Sequence, residues 1–491
     1  MTESYATLRA VEDVLRAAGL LTEVRGSEDL VIRGVSQDSR TIGADELFLA
    51  WKGLHFDAHD HVEQALERGA SALMVERPVD AGVPQLVVRD GRRAAPLAAN
   101  TVLGFPSAAM AVVGVTGTNG KTTTSMLIQH LVSPERVAAV IGTLGLRDPD
   151  GIRPGTVGLT TPGPVQITLW LRDLADKGCD TVVLEASSHA LHQHRLDGVD
   201  FQVAVFTNLS RDHLDYHGDL AAYGAAKLGL VELVSPDGTI VVNADAEAWK
   251  GLEAGGRRVT TYSLEGSADM YAREIRLGAA GSSFTLVTSG EAFAVELPLV
   301  GRYNVENALA AASAAVALGV APSVVAARLG TAPQVKGRLE AVVTEPFAVL
   351  IDFAHTPAAL EGALGALRPL TPGRLIVLFG AGGDRDRSKR KPMAEAVARM
   401  ADVAVLTSDN PRSEDPDSII EDLVEGMGSM EFIRLTDRRA AIRAALEAAR
   451  PGDTVVLAGK GHETYQVIGS EKRPFDEAGI ARDTLRELGI L

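Results

Sequence analysis

The sequence predicts an α/β protein of three domains: an N-terminal α/β domain over residues 1–98, a central parallel-sheet domain carrying a P-loop over 99–334, and a C-terminal doubly wound, Rossmann-like domain over 335–491. Three observations lead there. A length of 491 residues corresponds to about three domains at a prior of roughly 150 residues each. Apolar runs of strand length alternate with helical stretches in two separate tracts, the pattern of mainly parallel sheets covered by helices. In the first tract an apolar run at 110–113 passes through a glycine loop straight into a helix.

Taken in order, the N-terminal domain opens with a helix at 8–18, followed by the patch Val35-Ser36-Gln37-Asp38-Ser39-Arg40 and the apolar Leu47-Phe48-Leu49-Ala50. A helix at 62–68 and strands at 72–75 and 85–88 complete it. The Asp-Ser-Arg trio reads equally well as a turn or as a contact surface. In the central domain, strands are predicted at 111–115, 137–141, 181–184, 203–206 and 239–242, and the polar motifs sit where those strands end, the place where open parallel sheets bind ligands. Residues 258–299 change to short alternating runs with Gly and Ser, predicting a small antiparallel appendage of purely structural role. The C-terminal domain repeats the alternation, with strands at 348–351, 374–379, 403–406 and 454–457 and no glycine fingerprint of its own at the first strand.

The balance of 48 basic and 64 acidic residues, a net −16, argues against a nucleic-acid or acidic-membrane binder. Cys179 is the only cysteine, so neither a disulfide framework nor a cysteine metal site is expected, and a reducing compartment is the natural setting. Met1-Thr2-Glu3-Ser4-Tyr5 lacks the basic-then-apolar pattern of a signal peptide. The uncharged stretch at 307–327 is about as long as a bilayer requires, but it is mostly alanine and is broken by Gly319 and Pro322. It predicts two short helices inside a globular domain. The expectation is a soluble, cytoplasmic protein without a membrane partner.

The loop reads Gly114-Val115-Thr116-Gly117-Thr118-Asn119-Gly120-Lys121-Thr122-Thr123. Backbone N–H groups in such a loop, with the positive end of a helix dipole behind them, suit a polyphosphate; Lys121 would reach its terminal phosphates and Thr122 would offer a hydroxyl to magnesium. The strict P-loop pattern wants glycine at Val115. Glu185, at the end of an apolar strand, is the natural partner of Thr122, because magnesium takes hard oxygen ligands. The next strand ends in Thr207-Asn208-Leu209-Ser210-Arg211-Asp212-His213-Leu214-Asp215-Tyr216-His217, dense in ligands and proton carriers. Lys227 has apolar neighbours. Desolvation would favour a neutral amine able to form a carbamate, although on the residues alone a snorkelling surface lysine is the better reading. Gly301-Arg302-Tyr303-Asn304 and Lys336-Gly337-Arg338 could each contact a nucleotide or serve as cap or hinge. Four polar clusters mark the last domain: Asp352 to Pro357, Gly380 to Arg387, Asp409-Asn410-Pro411-Arg412 and Gly459-Lys460-Gly461-His462-Glu463.

Together these motifs resemble the Mur ligase family, enzymes of peptidoglycan-precursor synthesis that add amino acids to a UDP-muramoyl peptide. The likeness runs over nearly the whole chain and is strongest to members that add meso-diaminopimelate as the third residue. It implies ATP on Gly117, Thr118, Asn119, Gly120, Lys121, Thr122 and Thr123, completed by Asn304, Arg338 and Asp352, and one magnesium on Thr122 and Glu185. A second magnesium would be served by His213 and by Lys227 carbamylated with CO2. Lys121, Lys227, His213 and Glu185 are thus the implied catalytic group. The UDP-N-acetylmuramoyl dipeptide would lie on Ser39, Thr160, Thr161, Ser187, Gln193 and Arg195. The amino acid would lie on Arg385, Asp409, Asn410, Pro411, Arg412, Gly459 and Glu463. Leu159 departs from the asparagine that such members often carry before the paired threonines. Arg412 favours meso-diaminopimelate over lysine or ornithine, because a guanidinium grips the distal carboxylate through two hydrogen bonds. The resemblance further implies a monomer in cell-wall biogenesis, supporting cell shape and division, whose three domains close before reaction. A folylpolyglutamate synthase-like ligase shares the loop, but it lacks the N-terminal unit and the Asp-Asn-Pro-Arg motif. A nucleotide-gated binding protein is the reading from outside enzymes.

Overall fold

The computed structural model of the chain describes residues 6–26, 30–53, 56–155, 159–278 and 280–491; Met1–Tyr5 lie outside the described residues. The chain forms two compact units, one of Met1–Met270 with Ala310–Val325 and the other of Tyr271–Leu309 with Ala326–Leu491.

The first unit holds two sheets. The N-terminal one runs in the order Leu21–Arg25, Gln85–Val88, Ala70–Val75, Glu46–Ala50, Gly34–Ser36. Its strands are parallel except Leu21–Arg25, which is antiparallel to its neighbour. The helix Leu8–Ala17 begins at Thr7, whose hydroxyl accepts the Ala10 N–H at 3.3 Å. Its apolar face, Leu8, Val11 and Leu15, is buried at the 3.6-residue period of an amphipathic helix. It lies against the alanine-rich helix Gly91–Val102.

The central sheet runs Gly151–Arg153, Gly145–Asp148, Ala138–Gly142, Thr181–Glu185, Ala111–Thr116, Phe201–Phe206, Val234–Asn243, Arg258–Ser263. From Ala138–Gly142 onward every neighbouring pair is parallel. Ala111–Thr116 and Thr181–Glu185 are buried at every position, which is why they read as unbroken apolar runs. After Ala111–Thr116 the chain skips a place to Ala138–Gly142, returns to fill the gap, and then crosses to the other side. This reversal puts the carboxyl ends of three sequence-distant strands side by side.

One expectation changes here. Arg258–Ser263 does not begin an antiparallel appendage; it pairs parallel with Val234–Asn243, Thr239 facing Arg258. Its exposed first half imitates the alternation of a hairpin strand, and local sequence carries no direction. The antiparallel hairpin Gly281–Thr288/Glu291–Leu297 belongs to the second unit. Its two-residue turn, Ser289-Gly290, has both φ angles positive, at 51° and 79°, the backbone that matches strand twist.

The C-terminal sheet runs Glu340–Val343, Ala348–Asp352, Thr454–Ala458, Leu375–Phe379, Val403–Leu406, Phe432–Arg434, parallel except for its first pair. Its two faces are covered by separate apolar cores. The insertion of Thr454–Ala458 between the two earlier strands brings the loops after 352, 458, 379 and 406 next to one another in that order. The 307–327 stretch is two helices, Arg302–Ala317 and Pro322–Leu329. Among the described residues, no helix is long and apolar enough to cross a membrane.

Candidate active site

The glycine loop follows Ala111–Thr116 and feeds the helix Lys121–Val132. Gly117 has φ +144°, and a β-carbon there would lie 1.8 Å from the Thr207 Oγ1, so only glycine fits. Gly120, at φ +85°, occupies the cap position. The loop differs from the expected cradle in one respect: the Thr118 N–H donates to the Asn208 carbonyl at 2.8 Å and the Asn119 N–H to the Asn208 Oδ1 at 3.0 Å. Those amides are spent on the neighbouring strand's loop. The N–H groups of the first helical turn, which have no acceptor within the helix, are donors of the kind a phosphate takes.

Two lysines converge on one carbonyl. Lys121 Nζ donates to the Gly117 and Thr118 carbonyls at 2.9 and 2.8 Å, and Lys227 Nζ donates to the Gly117 carbonyl at 2.8 Å. Lys227 is only 1% exposed and lies 4.3 Å from the centre of the Tyr223 ring. Burial, reinforced by the charge of Lys121, drives its amine well below the ordinary lysine value. The snorkelling alternative is thereby removed: the side chain is buried, and burial shifts its amine towards the neutral form.

Glu185 is 1% exposed and accepts three hydrogen bonds: from the Thr122 hydroxyl at 3.0 Å, the Thr143 hydroxyl at 2.9 Å and the Thr143 N–H at 3.0 Å. A β-carbon on Gly142 would meet its Oε1 at 2.1 Å, so the close approach requires glycine. Thr143 was not foreseen; its signal is a hydroxyl directly after the strand Ala138–Gly142. Carboxylate and hydroxyls offer only oxygen, the donor set that magnesium takes together with phosphate oxygens and water. Among the described residues, no three His, Cys, Asp or Glu side chains gather as metal ligands.

The loop after Phe201–Phe206 holds His213 at φ 52°, a left-handed backbone uncommon for histidine. Its ring meets His189 edge-on at 4.7 Å, and His189 also lies 4.3 Å from Tyr216 and 5.4 Å from His217. Burial, with His213, His217 and Arg195 adding repulsion, pushes His189 down to about 4. The implied dipeptide residues form one chain of contacts. Thr161 Oγ1 donates to the Glu185 carbonyl at 2.7 Å and lies 2.9 Å from Ser187 Oγ, and Arg195 donates to the Thr161 carbonyl at 2.8 Å. Arg195 also grips Gln193 Oε1, and Gln193 donates to the Tyr216 hydroxyl at 3.0 Å. Thr160 approaches Thr143 at 3.4 Å, and Leu159 beside it is partly buried. Tyr216, quoted only as a member of its loop, is the brace of this chain.

Ser39 donates to Gln64 Oε1 at 2.7 Å on the wall of a cavity of about 600 Å³. Gln37, Arg40 and His61 also line it, and Phe56 stacks on His61 with ring centres 4.7 Å apart. Arg40's hydrogen bond holds the Asp38 carboxyl down at about 2.

The second unit contains two clusters. In one, Asp352 accepts the Leu339 and Ala354 N–H groups, each at 2.8 Å; burial raises its carboxyl even so, with Arg338 opposing. Arg338 lies 4.8 Å from the centre of the Phe353 ring, which also meets His462 at 4.9 Å. Asn304 is 1% exposed, donates to the Val300 carbonyl at 2.8 Å and accepts from Asn307 at 3.2 Å. Both ends of its amide are therefore occupied within its own segment, while its neighbour Tyr303 feels the charges of Asp352 and Arg338.

In the other cluster, Arg412 is held at φ 52° because its N–H donates to the Val467 carbonyl at 3.1 Å and its own carbonyl accepts the Gly469 N–H at 2.7 Å. Its guanidinium donates to the Gly383 carbonyl at 2.7 Å. A β-carbon on Gly383 would meet the Pro411 carbonyl oxygen at 1.9 Å, so the two loops touch backbone to backbone. The unforeseen Arg390, 1% exposed, ties them by donating to the Gly382 carbonyl at 3.3 Å and to Glu414 at 2.8 Å, and it also donates to Asp422 at 2.9 Å. Asn410 donates to Glu463 at 2.8 Å. Gly459 leaves room for Asp409 Oδ2, which a β-carbon would approach to 2.7 Å. Burial works to raise the Asp409 carboxyl, but Lys460, Arg438 and His355 outweigh it and hold it low. Arg385 is exposed, beside Asp384.

Three family models match the chain: "Mur ligase family, catalytic domain" over residues 31–111, "Mur ligase middle domain" over 115–315 and "Mur ligase, glutamate ligase domain" over 337–461. A UDP-N-acetylmuramoyl-L-alanyl-D-glutamate--2,6-diaminopimelate ligase from Geobacillus kaustophilus is 40% identical over 94% of this chain and 96% of its own. The protein of the same name from Alkalilimnicola ehrlichii is 43% identical over 95% and 97%. A solved structure of a ligase so named is 33% identical and superposes with a TM-score of 0.71, covering 99% of this chain and 100% of its own.

Proposed function

The chain belongs to the Mur ligase family, and from that premise we propose that it is an ATP-dependent ligase joining meso-diaminopimelate to UDP-N-acetylmuramoyl-L-alanyl-D-glutamate in peptidoglycan-precursor synthesis. The observation that carries the choice of amino acid is Arg412, whose strained backbone is pinned on both sides and whose guanidinium is aimed by the Gly383 carbonyl. Strain of this kind persists where surrounding contacts impose it, typically at functional sites. A planar guanidinium distinguishes meso-diaminopimelate from lysine by the carboxylate that lysine lacks.

The chemistry is carboxylate activation. The terminal D-glutamyl carboxylate attacks the γ-phosphorus of ATP, forming an acyl phosphate and releasing ADP; the amine of the amino acid then adds to the acyl carbon, and phosphate leaves as the amide forms. Lys121, at the head of the loop helix, brings positive charge to the phosphoryl group in transfer, the main requirement of such reactions. Magnesium held by Thr122 and Glu185, with a second ion at His213 and a carbamylated Lys227, would add further neutralising charge when bound. Thr143 fixes the Glu185 carboxylate. Arg195, braced by Gln193 and Tyr216, orients the muramoyl dipeptide, whose nucleotide end lies in the cavity beside Ser39. Asp352, Arg338 and the Asn304 segment serve the nucleoside of ATP; Asp409, Asn410, Glu463, Gly459 and Arg385 surround the amino acid. The working form is a cytoplasmic monomer.

The test supplies UDP-N-acetylmuramoyl-L-Ala-D-Glu, ATP and magnesium and measures phosphate release with meso-diaminopimelate, lysine and ornithine. Release should depend on meso-diaminopimelate. In Arg412→Ala the KM for that amino acid should rise about ten- to a hundredfold, the worth of a charge-assisted hydrogen bond, with ATP binding nearly intact. A preference for lysine in the wild type, or equal loss of ATP and amino-acid use in the variant, would refute the assignment of Arg412.

A further inference from the structure

Lys460 carries a charge in an unexpected place. Its side chain is 0% exposed, which for lysine demands partners. Its ammonium donates to Asn410 Oδ1 at 3.2 Å and to Glu463 Oε2 at 3.0 Å. Asn410 Oδ1 also accepts the Val467 N–H at 2.9 Å. With two donors on its oxygen, the Asn410 amide has one orientation, and its Nδ2 turns to Glu463 Oε2 at 2.8 Å. Glu463 Oε2 therefore receives two hydrogen bonds, while its Oε1 receives none among the described residues. In the residue before Asn410, the buried Asp409 Oδ2 has no hydrogen-bond partner among the described residues, and Asp409 feels the Lys460 charge.

We infer that Lys460 is a positioning residue for the amino-acid subsite: its buried ammonium locks Asn410 and Glu463 as one unit and leaves a carboxylate oxygen turned out to receive an ammonium group of the incoming diamino acid. The inference rests on the proposed function, which places the amino acid at this cluster. Lys460 does not touch the amino acid; it acts through Glu463 and Asn410. Without it, Glu463 would be half-buried with one donor fewer, and the Asn410 amide would lose one of the two bonds that fix its orientation, so the acceptor would lose its direction.

The experiment measures KM for each substrate and kcat in Lys460→Met, Glu463→Gln and the double variant, using the amino acid that the wild type turns over. In Lys460→Met the KM for the amino acid should rise about tenfold or more, the scale of a lost charge-assisted hydrogen bond, while KM for ATP and for the UDP-dipeptide stays within about twofold and kcat changes less than KM. In the Glu463→Gln background the same substitution should add less than about threefold, because coupled residues are not additive. Should Lys460→Met fail to fold, the double variant, which removes the unpaired carboxylate, carries the test: its amino-acid KM should match that of Glu463→Gln alone. Equal rises in all three KM values, or full additivity of the two substitutions, would overturn the inference. A wild type that prefers lysine would refute the choice of meso-diaminopimelate and leave the Lys460 comparison to be read with lysine; a wild type without amino-acid-dependent phosphate release would overturn both.

Discussion

His462 shows how a single side chain can report on its surroundings. Its Nδ1 is buried without a hydrogen-bond partner among the described residues, and its ring lies 4.9 Å from Phe353. Burial, with Arg338 and Lys336 adding repulsion, pushes it down to about 3. The ordinary histidine value in an unfolded chain is about 6.5, so between these limits the unfolded state binds a proton that the folded state refuses. Stability then rises with pH across that window, and the contribution present above 6.5 is lost as the pH falls towards 3. Replacing His462 with Gln should make the decline in melting temperature between pH 6.5 and 4 shallower than in the wild type. An unchanged slope would mean that the imidazole is free to protonate in the folded protein.

At the scale of elements, the loops at the strand ends are held by glycines at which a β-carbon would collide with a neighbouring segment. Gly383→Ala would push a methyl into the Pro411 carbonyl and separate the two loops that aim Arg412. It should therefore raise the KM for the amino acid about tenfold, at a strain cost of 1–3 kcal/mol, a range typical of overpacking. Nucleotide binding, followed by titration with an ATP analogue, should stay within about twofold of wild type; a loss there would contradict the separation of roles. The strands behind these loops were legible in the sequence because buried parallel strands leave unbroken apolar runs, as Thr181–Glu185 does. The motifs were legible because Gly117, Lys121 and Thr122 stand in a fixed local spacing. Two kinds of feature were not. The edge hairpin Gly145–Asp148/Gly151–Arg153 exposes Ile152 at 60% and so has no apolar signature, and the direction of Arg258–Ser263 is decided by pairing alone. Partners such as Thr143 for Glu185 and Lys460 for Asn410 lie tens of residues apart in sequence, where no local pattern joins them.

For the whole molecule, the placement of the cores decides which part can stand alone. The C-terminal sheet takes all its strands from residues 340–458. Among the described residues, the core on one face, including Val349, Ile376, Leu378, Ile442, Val455 and Leu485, comes from 347–485, with Val342, Val343, Leu488 and Ile490 at its margin. Among the described residues, the core on the other face borrows only Val300, with Tyr303 at its margin, from outside 335–491. Losing one buried valine costs about 1.5–3 kcal/mol, a fraction of the roughly 5–15 kcal/mol that holds a domain folded. A fragment of about 150 residues also buries around 70% of its unfolded surface, enough to retain a core. Residues 335–491 expressed alone should therefore fold, with a single cooperative thermal transition by circular dichroism and a melting temperature lowered by several degrees relative to the same unit in the full chain. Its amino-acid cluster should remain formed, since Asn410, Arg412, Lys460 and Glu463 all lie within it, and it should have no ATPase activity, since Lys121 and Glu185 do not. A broad, non-cooperative transition would show instead that the segment 271–309 is an indispensable part of this fold, and the boundary at 335 would have to be abandoned.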